Sequence, residues 1–181
     1  MSKLHFPVTQ QDHVVGPPTA AVTLVEYGDY ECPHCGRAHP VIKMLRARFG
    51  KHLRFAFRHF PLAQIHPNAE PAAETAEYAG VHGRFWEMHD AIFENQDRLG
   101  VPLMLALAGL LGLPESGLRS ALMSGEFKPR IRNDTLGGVL SGVSGTPAFY
   151  INDERHDGSY NLEDLSEAIA SQLPVKVALG R

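Results

Sequence analysis

Val22-Thr23-Leu24-Val25-Glu26-Tyr27-Gly28-Asp29, followed at once by the turn that carries Cys32-Pro33-His34-Cys35, decides how this chain is read. The run 22–27 is rich in β-branched and aromatic residues and predicts a buried strand, with Gly28 and Asp29 beginning a turn. From Pro33 to Phe49 the apolar residues Val41, Ile42, Leu45 and Phe49 recur at helical spacing, Gly50 provides the stop, and Pro40 inside should kink the helix. Residues 53–60 alternate large apolar and basic side chains, the period of a second strand, which Pro61 ends. Strand, helix, strand in that order makes a parallel βαβ unit the economical reading.

Cysteines at i and i+3 lie one helical turn apart on one face, close to the ~5.5–6 Å Cα separation that a disulfide prefers. Proline is favoured at the first helical position, so Cys32 is expected at the helix start, where free backbone N–H groups and the positive end of the helix dipole favour a thiolate. His34 can add a donor or a charge to that thiolate, whereas Cys35 is carried into the helix. The roles divide accordingly: Cys32 attacks and Cys35 resolves.

Further along, the pattern becomes helices separated by Gly and Pro, expected over 68–81, 85–96, 102–111, 114–124 and 128–140. Residues 147–151 and 156–160 flank a turn at Asn152-Asp153 and predict a β-hairpin, and 162–173 close as a helix. The fold class expected is α/β, with a helical stretch interrupting a small strand-containing domain.

Composition narrows the function classes. Seventeen basic against 20 acidic residues give a net charge of −3, which argues against nucleic acid and polybasic membrane partners. No stretch approaches the roughly 18 apolar residues of a membrane span, so no membrane insertion is expected. Met1 to Gln11 is polar and lacks the apolar core of a signal peptide, so a cytoplasmic location is expected as written, or a periplasmic or extracytoplasmic one if a signal was removed. Two cysteines cannot build a structural disulfide framework, which leaves redox or metal chemistry. A zinc module using Cys32, Cys35 and His34 or His39 would normally need a second ligand pair, and no second cysteine pair exists.

The strand ending in Tyr27, the Cys32-Pro33-His34-Cys35 motif and the later Gly145-Thr146-Pro147-Ala148-Phe149 together resemble the DsbA-like thiol–disulfide oxidoreductases of the thioredoxin superfamily. The resemblance covers nearly the whole chain. It implies a thioredoxin fold with a helical insertion domain between the second and third strands: one unit over 1–181, with 15–62 and 141–181 as the thioredoxin fold and 63–140 as the insertion. It implies a protein-disulfide oxidoreductase that works through a mixed disulfide at Cys32, oxidase-like, with a cytoplasmic disulfide reductase or a glutathione-linked redox enzyme as alternatives. In DsbA itself a thiolate pKa lowered from ~8.5 to ~3.5 corresponds to about 7 kcal/mol, and the roughly 150 mV separating its potential from that of thioredoxin corresponds to a similar energy. Thiolate stability is therefore sufficient to make such a disulfide oxidising.

By the same resemblance, Glu26 matches the buried acid that exchanges a proton with the resolving thiol, and Pro147 matches a cis-proline facing the disulfide. Thr146 would then offer its backbone to an extended substrate segment. Threonine replaces the valine of the best-known oxidases and also occurs in isomerase-like relatives, so the direction of electron flow stays open. The implied partners are protein thiol or disulfide substrates and a redox partner or glutathione, for a monomer with no cofactor beyond its cysteine pair.

Arg37 and His39 are read as solvated helix positions, and His52, His59, His66, His82 and His89 as surface or capping residues. The stripe Phe85, Trp86, Met88, His89 and Phe93 is read as core packing. The segments Arg58-His59-Phe60-Pro61-Leu62 and Ile65-His66-Pro67 resemble those of a bacterial branch of the family, with no physical role assigned.

Overall fold

Apolar runs at both expected strands become the centre of a sheet. In a computed structural model that describes residues 2–174, β1 (His13–Val15), β2 (Val22–Gly28), β3 (Leu53–His59), β4 (Ala148–Ile151) and β5 (Glu154–His156) form one five-stranded sheet in the order β1-β3-β2-β4-β5. Residue 1 and residues 175–181 of the unit expected over 1–181 lie outside the described residues. Helix α1 (Pro33–Phe49) connects the neighbouring β2 and β3. Five helices, α2 (Ala69–Val81), α3 (Phe85–Glu94), α4 (Val101–Leu110), α5 (Glu115–Ser124) and α6 (Lys128–Ser141), lie between β3 and β4 in sequence, and α7 (Leu162–Ser171) follows β5. The fold is α/β, with its helical stretch where it was expected.

Two strand assignments need correction. Strand β1 has no counterpart among the expected strands: at three residues it is too short to show alternation, and it forms by pairing antiparallel with β3, His13 opposite Phe57. The second hairpin strand was placed at 156–160 but spans Glu154–His156. Asn152 and Asp153 both have positive φ, 46° and 70°, the geometry of a two-residue hairpin turn, so Ile151 already faces Glu154 and the strand starts immediately.

Of the described residues, those up to Tyr27, Arg37–Arg58 and those from Gly137 onward form one unit; Gly28–Gly36 and His59–Leu136 form the other. The first unit holds most of the sheet, and its core is built from Leu24, Tyr27, Leu45, Phe55, Phe57, Tyr150, Leu165 and Ile169, all essentially without solvent exposure. Arg58 is also buried there. Its guanidinium reaches Asp12 Oδ1 (2.7 Å) and Oδ2 (3.1 Å), the carbonyls of Phe6 and Pro7, and the Tyr27 hydroxyl. That fork ties the segment before β1 to the sheet.

The second unit packs α2 against α3, α4 and α5 around Met88, Ile92, Met104 and Leu118. It also contains the turn that carries both cysteines. The reason is the aromatic stripe of α3: Phe85, Met88, His89 and Phe93 are buried, as core packing requires, Trp86 is only half-buried, and Tyr30 of the turn packs on Phe93 and His89.

Candidate active site

Local sequence sets the start of α1. Pro33 occupies the first helical position, and the Cys32 carbonyl accepts the Gly36 N–H at 3.1 Å, so Cys32 caps the helix as its last non-helical residue. Arg46 and Arg48 in the last turn complement the opposite end of the dipole. Pro40 sits inside the helix, which runs on to Phe49. Cys32 and Cys35 are both buried, and their exposures differ in the expected sense: Cys32 retains 4 % and Cys35, within the helix, none. Pro33 and His34 between them are exposed.

Asp29 builds the turn ahead of them. Its side chain is fully buried. Oδ1 accepts the N–H of Glu31 (2.7 Å) and of Cys32 (3.2 Å), the local pattern in which an aspartate holds the backbone two and three residues on. Oδ2 accepts the N–H of Leu62 (2.8 Å) and the Nδ1–H of His66 (2.8 Å). The Asp29 backbone N–H in turn points at Cys35 Sγ, 3.4 Å away. Gln96 closes the other side, donating Nε2 to the carbonyls of Tyr30 (2.8 Å) and Cys32 (2.9 Å). Its carboxamide lies so close to Gly36 that a Cβ there would push it away from the two carbonyls it holds. The Glu31 carboxylate accepts from the backbone and side-chain N–H groups of Asn68 at the start of α2 (2.6 and 2.9 Å).

His66 carries the electrostatic signature of this arrangement. Its partial burial works to lower its pKa. The hydrogen bond and charge of Asp29, then the charges of Cys32 and Glu31, outweigh that and hold it above the ordinary 6.5.

Glu26 and Pro147 lie in the sheet unit, Glu26 on β2 and Pro147 immediately before β4, the strand that pairs with β2. Glu26 is buried on β2 opposite Phe149 of β4, so a carboxylate facing water does not describe it. The Thr146–Pro147 peptide is cis, and Ala148, the next residue, pairs with Tyr27.

Several histidine readings are overturned. His39 is buried, whereas Arg37 is exposed as expected. His59 is buried and donates Nε2–H to Glu77 Oε1 at 2.9 Å, while its backbone N–H donates to Asp134 Oδ2 at 3.0 Å; Arg130 pairs with the same Asp134. His89 is buried and shares a 3.0 Å hydrogen bond with the Tyr30 hydroxyl. His66 is half-buried on Asp29, and His82, bonded to the Tyr78 carbonyl at the end of α2, has the capping role foreseen. Among the described residues, no cluster of three or more potential metal ligands includes Cys32 or Cys35.

Sequence reasoning found the cysteine pair and missed Asp29, His66 and Gln96 as parts of its support. The local signal for Asp29 was present: an aspartate two and three residues before the backbone groups it holds. Nothing local marks His66 or Gln96.

A family model described as thioredoxin matches residues 8–171. The chain belongs to the thioredoxin family. Within that family it has the DsbA-like fold. Oxidised BdbD from Bacillus subtilis aligns with a TM-score of 0.85 at 22% identity, covering 94% of this chain and 97% of that one. Wolbachia pipientis alpha-DsbA1 aligns with a TM-score of 0.80 at 22% identity, covering 93% and 94%. Among curated proteins, the Na(+)/H(+) antiporter NhaA 1 of Salinispora arenicola is 47% identical over 161 residues, which are 89% of this chain and 24% of that protein. The chain thus spans about a quarter of the length of the curated relatives it matches. Among the described residues, no helix of this thioredoxin-family chain is long and apolar enough to cross a membrane.

Proposed function

We propose that this chain exchanges a Cys32–Cys35 disulfide or dithiol with protein substrates through a mixed disulfide at Cys32, acting as an oxidase. The enzyme class, protein-disulfide oxidoreductase, accords with the thioredoxin family and the DsbA-like fold. The observation that carries the mechanism is the asymmetry of the pair: Cys32, at the open end of α1, keeps some exposure, and Cys35 has none. An incoming thiol or disulfide meets Cys32 first, and the helix start favours its thiolate.

When the protein oxidises a substrate, a substrate thiolate attacks Cys32 Sγ and the Cys35 thiolate leaves. The second substrate thiol then attacks the mixed disulfide, releasing Cys32 as thiolate. Two electrons pass from the substrate dithiol to the cysteine pair, and no further cofactor is required. Glu26 would exchange the proton of Cys35, and the Thr146 backbone before Pro147 would pair with an extended substrate segment. The thioredoxin part over 15–62 and 141–181, interrupted by a helical insertion over 63–140, would act as one monomeric unit. Location follows the direction of exchange: an oxidase fits an extracytoplasmic site, a reductase or glutathione-linked enzyme the cytoplasm. Ion transport, named for the much longer relatives, is not proposed for this chain.

Cys35→Ser tests the mechanism by removing the resolving thiol. Incubated with an oxidised protein substrate, whose S–S bond the Cys32 thiolate breaks with release of one substrate thiolate, it should accumulate a covalent adduct at Cys32. Absence of any such adduct would reject the mechanism. Equilibration of the wild type with glutathione mixtures tests the direction: a potential near about −120 mV supports an oxidase, and one near about −270 mV a reductase.

A further inference from the structure

Asp29 poses an electrostatic difficulty for a reactive Cys32. It is a fully buried carboxylate that holds the Cys32 backbone and sits within one hydrogen bond of Cys35 Sγ through its own N–H. A buried anion here opposes a second anion on Cys32, because like charges disfavour ionisation and burial weakens screening. The imidazole of His66 lies directly on that carboxylate, Nδ1 to Oδ2 at 2.8 Å, with its side chain 17% exposed. It is therefore paired and still open to solvent protons.

We propose, on the reading of Cys32 as the attacking thiol, that His66 is a positioning residue of the redox pair. Its imidazolium neutralises Asp29, so that the carboxylate can hold the Cys32 turn without opposing the Cys32 thiolate, and the Cys32–Cys35 disulfide is a stronger oxidant for it. When a substrate dithiol reduces the pair, the S–S bond takes up two electrons and a substrate S–S bond forms. Of the two protons lost by the substrate, one stays on Cys35 and the other goes to solvent. His66 exchanges no electrons.

The charges acting on His66 are those of Asp29, Cys32 and Glu31. Glu31 is already engaged by Asn68. The interaction between two charges belongs to both of them: what the Cys32 thiolate does for the His66 proton, the His66 charge does for the thiolate. The residue sits in Ile65-His66-Pro67, a segment with no role in the exchange chemistry described so far.

His66→Gln keeps a donor toward Asp29 and removes the charge. Its equilibrium constant with glutathione should shift about tenfold or more toward the disulfide, about 30 mV for a two-electron couple, and its Cys32 thiolate absorbance should titrate at higher pH than in the wild type. The double variant Asp29→Asn/His66→Gln, which removes both charges, should recover most of that shift. Independently of any variant, NMR titration of the wild type should give His66 a higher pKa in the reduced than in the oxidised protein. Should the variants not fold, that titration decides alone. An equilibrium constant of His66→Gln within twofold of the wild type, or one His66 pKa in both redox states, overturns the proposal. With Cys32 adducts forming normally, such a result rejects only the role of His66; if no adduct forms at all, the exchange mechanism itself is rejected.

Discussion

Two aspartates whose side chains are shielded from solvent, Asp12 and Asp29, are answered by two different cations. In the sheet unit, Asp12 faces Arg58, whose charge is permanent and whose guanidinium spends its donors on both Asp12 oxygens, two backbone carbonyls and the Tyr27 hydroxyl. In the helical unit, Asp29 faces His66, whose charge can change near neutral pH and which makes a single bond to the carboxylate. The first pair anchors chain segments, with burial opposing the Arg58 charge and Asp12 and Tyr27 more than restoring it. The second sits beside the cysteines. A fixed charge suits architecture, where any loss is a defect; a titratable one suits a site whose own charge changes with each turnover.

The contrast is broken most forcefully at Arg58. Arg58→Ala leaves Asp12 buried without its guanidinium and should cost about 3–5 kcal/mol in chemical denaturation. Arg58→Lys should recover only part of this, because an ammonium cannot reproduce the fork. A loss below about 1 kcal/mol for Arg58→Ala would mean that the pair does not anchor the segment before β1.

Gln96→Ala probes the uncharged half of the cysteine turn. Removing two hydrogen bonds, to the Tyr30 and Cys32 carbonyls, should cost about 1–2 kcal/mol and slow exchange at Cys32, measured by stopped-flow with a reduced peptide. Unchanged stability and rate would show that Asp29 alone holds the turn.

A further buried acid sharpens the comparison by its weaker compensation. Glu74 on α2 is 2% exposed, one of its oxygens makes no hydrogen bond, and burial pushes its pKa above the ordinary 4.5 despite the opposing pull of Lys128. The folded state thus holds that proton more tightly than the unfolded chain does, so ionised Glu74 costs stability above its raised pKa and costs nothing below the ordinary value. Glu74→Gln should be more stable than the wild type at pH 7, by less than the Gln96 loss, and the gap should close as pH falls toward 4.5. A gap that is constant with pH would rule out ionisation as its cause.

The smallest effect expected is the pH dependence of the Asp29–His66 pair itself. Because His66 is raised in the folded state, its contribution is complete below the ordinary 6.5 and is lost as pH rises through the raised value. Stability of the wild type relative to His66→Gln should fall across that window and be level on either side. A difference that grows with pH would contradict the pairing.

What the sequence disclosed followed the range over which each signal acts. The strand 22–27, the Pro33 helix start and the cysteine pair depend on neighbours within a few residues, and all three lie where they were read. The hairpin turn at Asn152-Asp153 was legible for the same reason, but the three-residue strands beside it and at 13–15 are too short for a period to register. The buried histidines were illegible: His59 and His89 meet their partners Glu77 and Tyr30 only through the packing of the helical unit. His66 lies 37 residues from Asp29, with no spacing to betray it. Gln96, in a short 3-10 turn after α3, is 64 residues from the Cys32 carbonyl it holds.

The central claim is that the two cysteines differ in role because the helix start leaves one reachable and the fold covers the other. Competition for a limiting alkylating reagent, with the reduced wild type at pH 6 and the labelled cysteine identified by peptide mapping, measures this directly. The account predicts that Cys32 is labelled at least about tenfold faster than Cys35, as thiolate character and access both require. Equal labelling, or Cys35 first, would contradict it.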